Sequence, residues 1–187
     1  MGILINGIWS DERLAQETGK SGEFLRADSA FRDRISADGR SGFQAEPGRY
    51  HLYVTYGCPW AHRTLIYRAA KGLDDAVSVS WGLPDERTYG WTLGHRPQWP
   101  ECNGDEVNGF TYLHQAYAAA KPGYTGKVTV PTLWDKQTKK IVNNESSEII
   151  RMFNTEFRGI AGNETDFYPE HLREDIDQMN AKIYANV

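Results

Sequence analysis

The chain has 187 residues, 40% hydrophobic and 12% aromatic, enough for a sizeable core in one domain or one domain plus part of another. Its formal net charge of −4 leaves no basic excess to neutralise phosphates, which argues against a nucleic-acid partner. Apolar runs stay short of the ~20 residues of a membrane span and two cysteines make no disulfide framework, so the expectation is a cytoplasmic protein with no membrane partner.

The first residues, Met1 to Asn6, lack the charged and long apolar regions of a signal peptide, and Asn6 stands where myristoylation wants Ser or Thr. Residues 1–49 read as an irregular, extended arm. Trp9, Phe24, Phe31 and Phe43 are its isolated anchors.

Regular structure begins at Tyr50. Residues 50–56, rich in Tyr, Val and Thr, predict a strand. Ala61, Leu65, Ile66 and Ala69 recur at helical spacing, with Arg63, Arg68 and Lys71 on the other side, and Lys71-Gly72 ends that helix. Residues 76–81 predict a second strand, so residues 50–81 form a βαβ unit with parallel pairing. Residues 83–108 predict a long loop. Phe110, Leu113, Tyr117 and Ala120 mark a second helix that stops before Pro122-Gly123. Strands follow over 127–134 and 140–143, joined by a short polar turn, then a third helix over 145–157. The order βαβ, helix, ββ, α is that of a thioredoxin-like α/β domain, a four-stranded mixed sheet with helices on both faces. Beyond Gly159, a linker leads to a helical stripe of Leu172, Ile176, Met179 and Ile183.

The chemistry concentrates at Thr55-Tyr56-Gly57-Cys58-Pro59-Trp60. A strand stops, the chain turns, and a proline suited to the first turn of a helix follows the cysteine. The positive end of a helix favours an anion, and a thiolate is one, so Cys58 is a candidate nucleophile. A buried structural cysteine is the plainer alternative. Three positions on, where a thioredoxin-type site carries its second cysteine, stands Ala61. The simplest chemistry is therefore monothiol, with an external thiol releasing Cys58. Cys102 lies in the long loop. His62 shares a helical face with Cys58, but zinc needs two further ligands and no cluster supplies them, so no metal is expected.

A second constellation is Val130-Pro131 followed by Glu145-Ser146. A cis proline after Val130 would present that residue's backbone to an extended peptide. Glu145-Ser146 opens the third helix, whose free N–H groups can hold a carboxylate while Glu145 accepts from an ammonium. Together they suit an amino-acid end group such as the γ-glutamyl end of glutathione. Taken alone, the pair is an ordinary helix cap.

Residues 50–73 (YHLYVTYGCPWAHRTLIYRAAKGL), 124–135 (YTGKVTVPTLWD) and 141–157 (IVNNESSEIIRMFNTEF) resemble the Xi-class glutathione transferases, the glutathionyl-hydroquinone reductases. Residues 24–36 and 42–53 are similar to that family too. The resemblance implies a glutathione-binding thioredoxin-like domain over 50–158, preceded by the arm. Residues 159–187 would be a linker and the first helix of an all-helical domain that the chain leaves incomplete. It implies glutathione as cosubstrate, a glutathionyl-hydroquinone as substrate, and a homodimer in the full-length form. Cys58 matches the catalytic cysteine, Trp91 the tryptophan over glutathione, Val130 the partner of its cysteinyl backbone, and Glu145 and Ser146 the γ-glutamyl binders. Lys127 stands where the family often has an arginine for the glycine carboxylate, which keeps the charge but loses the fork. Gly57 replaces a frequent alanine. The tyrosines that contact the hydroquinone in the family lie beyond this chain, so an incomplete aromatic pocket is expected. Two other readings stay open: an Omega-like thiol transferase or dehydroascorbate reductase, and a noncatalytic glutathione-fold binding module.

Overall fold

The computed structural model describes residues 2–11, 28–84 and 89–186; the expected anchor Phe24 and residues 85–88 of the long loop lie outside the described residues. The molecule is organised around β3 (Tyr50–Thr55), all six residues of which are buried. Strand β3 runs parallel to β4 (Val77–Pro84), from Tyr50 opposite Val77 to Thr55 opposite Gly82. On its other side it pairs antiparallel with β7 (Thr132–Asp135), which pairs with β8 (Lys140–Asn143). This is the mixed four-stranded sheet expected from the sequence. The two-residue strand β5 (Trp91–Thr92) extends its edge beside β4, giving the order β5-β4-β3-β7-β8.

Helix α1 (Pro59–Ala70) crosses from β3 to β4 and ends at Lys71, with Gly72 in the left-handed region at φ 62°. It packs against α3 (Ser146–Thr155), while α2 (Leu113–Ala120) packs against β8 and β5. The apolar side of α3 enters the core through Ile149, Met152 and Phe153, followed by Phe157. Tyr50, Tyr53, Tyr117 and Trp134 are fully enclosed beside them.

The expected strand over 127–134 is divided. Its first part, β6 (Gly126–Lys127), belongs to a second sheet, and β7 begins only after a cis Val130–Pro131 bond. Proline has no N–H to donate to a ladder, so a central strand cannot run through Pro131.

The arm also differs from expectation. Residues 3–10 form a hairpin of β1 (Ile3–Ile5) and β2 (Ile8–Ser10), and β1 pairs with β6 to give the order β2-β1-β6. Asn6 and Gly7 turn the hairpin with φ of 51° and 80°, the paired positive angles of a tight two-residue turn. Residues 28–49 stay largely irregular but are fixed in place. The backbone of Phe31 exchanges hydrogen bonds with Asn144, and Ile35 is buried in the core.

Lys71 is a correction. It was expected on the polar side of α1, yet its side chain is fully buried and Nζ donates to Thr165 O at 2.8 Å. Residues 162–165 thereby lie across the end of α1, where Asn163 Nδ2 donates to Ala70 O at 2.8 Å. The helical stripe expected near the end lies on a short 3-10 turn (Glu170–Leu172) and α4 (Arg173–Asn186). No residue of α4 is buried, and Met179, Ile183 and Tyr184 face solvent.

One core group gives the fold a pH dependence. His51 is buried, its Nδ1 lies 2.8 Å from Ser78 Oγ, and burial, with Lys136 and Arg68 nearby, pushes its pKa down from 6.5 to about 3. The unfolded chain therefore binds the His51 proton first. Stability from this group is intact above pH 6.5 and falls as pH drops towards 3, by up to about 1.4 kcal/mol per pH unit. Urea unfolding between pH 7 and pH 4 should show that slope, and His51→Phe should flatten it; an unchanged slope would place the dependence elsewhere.

Candidate functional site

The site is built where β3 ends. Cys58 holds the N-cap position of α1 in an extended conformation (φ −105°, ψ 112°), and Pro59 follows in the first turn. The first helical bond runs from His62 N–H to Cys58 O at 2.9 Å. Cys58 is half-buried, and its Sγ donates to Val130 O at 3.4 Å. The Val130–Pro131 bond is cis. So the sequence-predicted nucleophile and the sequence-predicted backbone partner, 72 residues apart, meet.

The head of α3 faces the same place. Glu145 is its N-cap, and its Oε1 accepts from Ser147 N at 3.2 Å and Ser147 Oγ at 2.9 Å. Its Oε2 accepts from Ser29 Oγ at 2.9 Å, so the arm also closes on this helix end. Glu145 is thus a working helix cap. Ser146 is buried in the first turn.

Arg63 is the residue that sequence reasoning missed. It was placed on the polar side of α1, but it bridges the two helix heads. Its Nε and Nη2 donate to Ser146 Oγ at 3.0 and 2.7 Å, and Nη2 lies 3.7 Å from Glu145 Oε1. Its guanidinium also lies 4.7 Å from the ring centroid of Trp60. No spacing within α1 signals a partner 83 residues away.

Trp91 and Lys127 stand apart from this cluster, on the edge strands β5 and β6. The indole N–H of Trp91 is buried without a hydrogen-bond partner among the described residues. Lys127 is exposed and pairs with Ile3 of the N-terminal hairpin. The hairpin touches both flanks, because Trp9 of β2 stacks on His114 at 4.7 Å and packs against Gly90, beside Trp91.

Neither cysteine is in a disulfide. Cys102 is buried, and that burial pushes its thiol pKa up. Among the described residues no group of three His, Cys, Asp or Glu side chains is placed to hold a metal ion, and no helix is long and apolar enough to cross a membrane.

The arrangement resolves into a known family. The model of the glutathione S-transferase N-terminal domain matches residues 57–156. The chain is 46% identical over 187 residues to glutathionyl-hydroquinone reductase PcpF of Sphingobium chlorophenolicum, covering all of this chain and 57% of that one. It is 47% identical over 194 residues to glutathionyl-hydroquinone reductase YqjG of Escherichia coli (strain K12), covering 100% and 58%. Among solved structures, a Xi-class glutathione transferase from Natrialba magadii superposes with a TM-score of 0.86 at 42% identity, covering 100% of this chain and 55% of that one. The glutathione-bound structure of YqjG superposes with a TM-score of 0.83 at 44% identity, covering 100% and 56%. The chain therefore spans just over half the length of these relatives. With a cysteine at the head of α1, a cis proline opposite it and a matching sequence throughout, the chain belongs to the glutathione S-transferase family, within its Xi class.

Proposed function

We propose that the chain carries the glutathione-binding half of a reductase that removes glutathione from glutathionyl-hydroquinones through a mixed disulfide on Cys58. The observation that carries this reading is the placement of Cys58 Sγ at the head of α1, 3.4 Å from Val130 O. The Cys58 thiolate attacks the glutathionyl sulfur. An S–S bond forms, the carbon–sulfur bond breaks, and its electron pair stays on the ring carbon, which takes a proton. The hydroquinone leaves reduced by two electrons, and the two sulfurs are oxidised to a disulfide. A second glutathione thiolate attacks the glutathionyl sulfur, leaving glutathione disulfide and free Cys58.

In this reading Val130 pairs with the cysteinyl backbone of glutathione, and Glu145 and Ser146 receive its γ-glutamyl end. Arg63 keeps the two helix heads in register. Trp91 covers the tripeptide, and an acceptor on it would satisfy the indole N–H that has no partner among the described residues. Lys127 takes the glycine carboxylate. Residues 50–158 form the glutathione-binding domain, 159–187 begin a helical one, and the exposed stripe on α4 supports that division. The full-length form is a homodimer of such chains. The reductase names of PcpF and YqjG and the glutathione bound to YqjG support the assignment.

The test is turnover of a glutathionyl-hydroquinone with glutathione, compared between the parent chain and Cys58→Ala. Equal rates dismiss the mechanism. Activity on small mixed disulfides with none on the conjugate would favour an Omega-like thiol transferase. Lys127 gives a separate check: Lys127→Arg restores a two-pronged carboxylate contact and is expected to tighten glutathione binding about three-fold by calorimetry. No change would remove Lys127 from the site.

A further inference from the structure

A pocket of about 440 Å³ opens where the arm, the end of α3 and the start of α4 meet. Arg34 lines it from the arm, Arg151, Thr155 and Glu156 from α3 and its C-cap, and Tyr168 and Arg173 from the segment that enters α4. Three guanidiniums thus surround one cavity in a chain whose formal net charge is −4. Like charges gathered in this way repel one another unless carboxylates close on them. The two nearby carboxylates are turned to other donors. Glu156 Oε2 accepts from Ala37 N–H at 3.1 Å, and its Oε1 lies 2.9 Å from Thr155 Oγ1. Asp177 accepts from the Tyr168 hydroxyl and stands 3.6 Å from Arg151 Nη2, beyond hydrogen-bonding distance.

We propose that this pocket binds a small soluble anion through a doubly charged, phosphate-type group held between Arg34, Arg151 and Arg173. Three observations carry the inference. The first is unspent donors. Elsewhere Arg49, Arg68 and Arg158 each donate to a carboxylate within 2.9 Å. Around the pocket, among the described residues, the three guanidiniums donate a single hydrogen bond, from Arg173 Nε to Tyr168 O at 3.2 Å. The second is orientation. The Arg151 guanidinium lies 3.5 Å from the centroid of the Tyr168 ring and that of Arg173 5.3 Å. A guanidinium held on a ring face still offers its N–H fork, which matches two phosphate oxygens at once. The third is size. The volume lies within the range of small-molecule sites, about 300–1,000 Å³, so an organic phosphate fits as well as the inorganic ion. Thr155 and Glu156 mark the opposite end of α3 from Glu145 and Ser146, so this ligand and glutathione would not compete for one place. A bound anion would tie α4, which has no buried residue, to the arm and to α3.

The experiment is calorimetry of the chain with phenyl phosphate, in phosphate-free buffer with sodium chloride at about 0.15 M, where long-range attraction between exposed charges is largely screened. Saturable binding is expected. Arg34→Gln and Arg173→Gln should each weaken it about ten-fold, the cost of one charge-assisted contact. Both side chains are exposed, so both variants should fold. Arg40→Gln, at an exposed arginine outside the pocket, should leave binding unchanged. Hydrogen exchange of the α4 amides should slow when phenyl phosphate is added to the parent chain and not when it is added to Arg34→Gln. No saturable binding, binding that neither pocket variant weakens, or equal weakening by Arg40→Gln overturns the proposal. Cosedimentation with phosphatidate vesicles and no response to phenyl phosphate would assign the arginines to a lipid headgroup and overturn the soluble ligand.

Discussion

Replacing Cys58 by Ala is expected to lower glutathione-dependent cleavage of a glutathionyl-hydroquinone by about a thousandfold or more, the usual cost of removing a covalent nucleophile. The loss should fall on kcat, because the groups assigned to glutathione (Val130, Glu145, Ser146, Trp91 and Lys127) all remain. Calorimetric affinity for glutathione should change little, since the hydrogen bond of Sγ, at 3.4 Å, goes to a backbone carbonyl that stays in place. Cys102→Ala serves as the control. That thiol is buried and raised in pKa, so the conjugate should still be cleaved at near the parental rate. If Cys58→Ala retained activity and Cys102→Ala lost it, the nucleophile would have been misassigned.

The second large effect concerns stability. Arg49 and Asp135 form a two-pronged ion pair across the start of β3 and the end of β7. Nε donates to Oδ1 at 2.9 Å and Nη2 to Oδ2 at 2.8 Å, both in the interior. Thr138 Oγ1 and Gln137 N–H also donate to the carboxylate. Burial by itself would raise the Asp135 carboxyl, but Arg49 and these donors outweigh it and hold it below its ordinary 3.8. Arg49→Ala leaves that charge buried and unpaired, so a loss of about 3–5 kcal/mol in urea unfolding at pH 7 is expected. The double variant with Asp135→Ala should lose less than the sum of the two single changes. The sign with pH is fixed. Asp135 titrates lower in the folded than in the unfolded chain, so its stabilisation is present above about pH 3.8 and is lost as pH falls below that. A loss under about 1 kcal/mol at pH 7 would mean that the pair is solvated, like a surface bridge.

What was legible in the sequence was local. Periodicity gave α1 and α3, and the Gly-Cys-Pro order placed Cys58 at a helix head. The Val-Pro step was read as cis and is cis. One local signal went unread. Asn6-Gly7 between two isoleucine-bearing runs is a strong hairpin sign, yet the many polar residues that follow made the whole arm look irregular. What could not be read was long-range. Arg63 finds Ser146 across 83 residues, and Arg49 finds Asp135 across 86. On their own helix or strand each looks like an ordinary surface charge. Lys71 shows the same limit, since only the return of residues 162–165 over the end of α1 buries it. The division of the strand at Pro131 was within reach, because the residue marked as a cis turn also had to interrupt the ladder. The arginine-lined pocket needed the folded chain, since Arg34, Arg151 and Arg173 come from three separate segments.

The most direct test is to mix the protein with a glutathionyl-hydroquinone while withholding free glutathione, quench in acid, and map the adduct by mass spectrometry of intact protein and peptides. One glutathionyl group, on the peptide that bears Cys58, with one equivalent of free hydroquinone released, is the expected result. Stoichiometric hydroquinone release with no glutathionyl adduct, or an adduct on Cys102, would contradict the account.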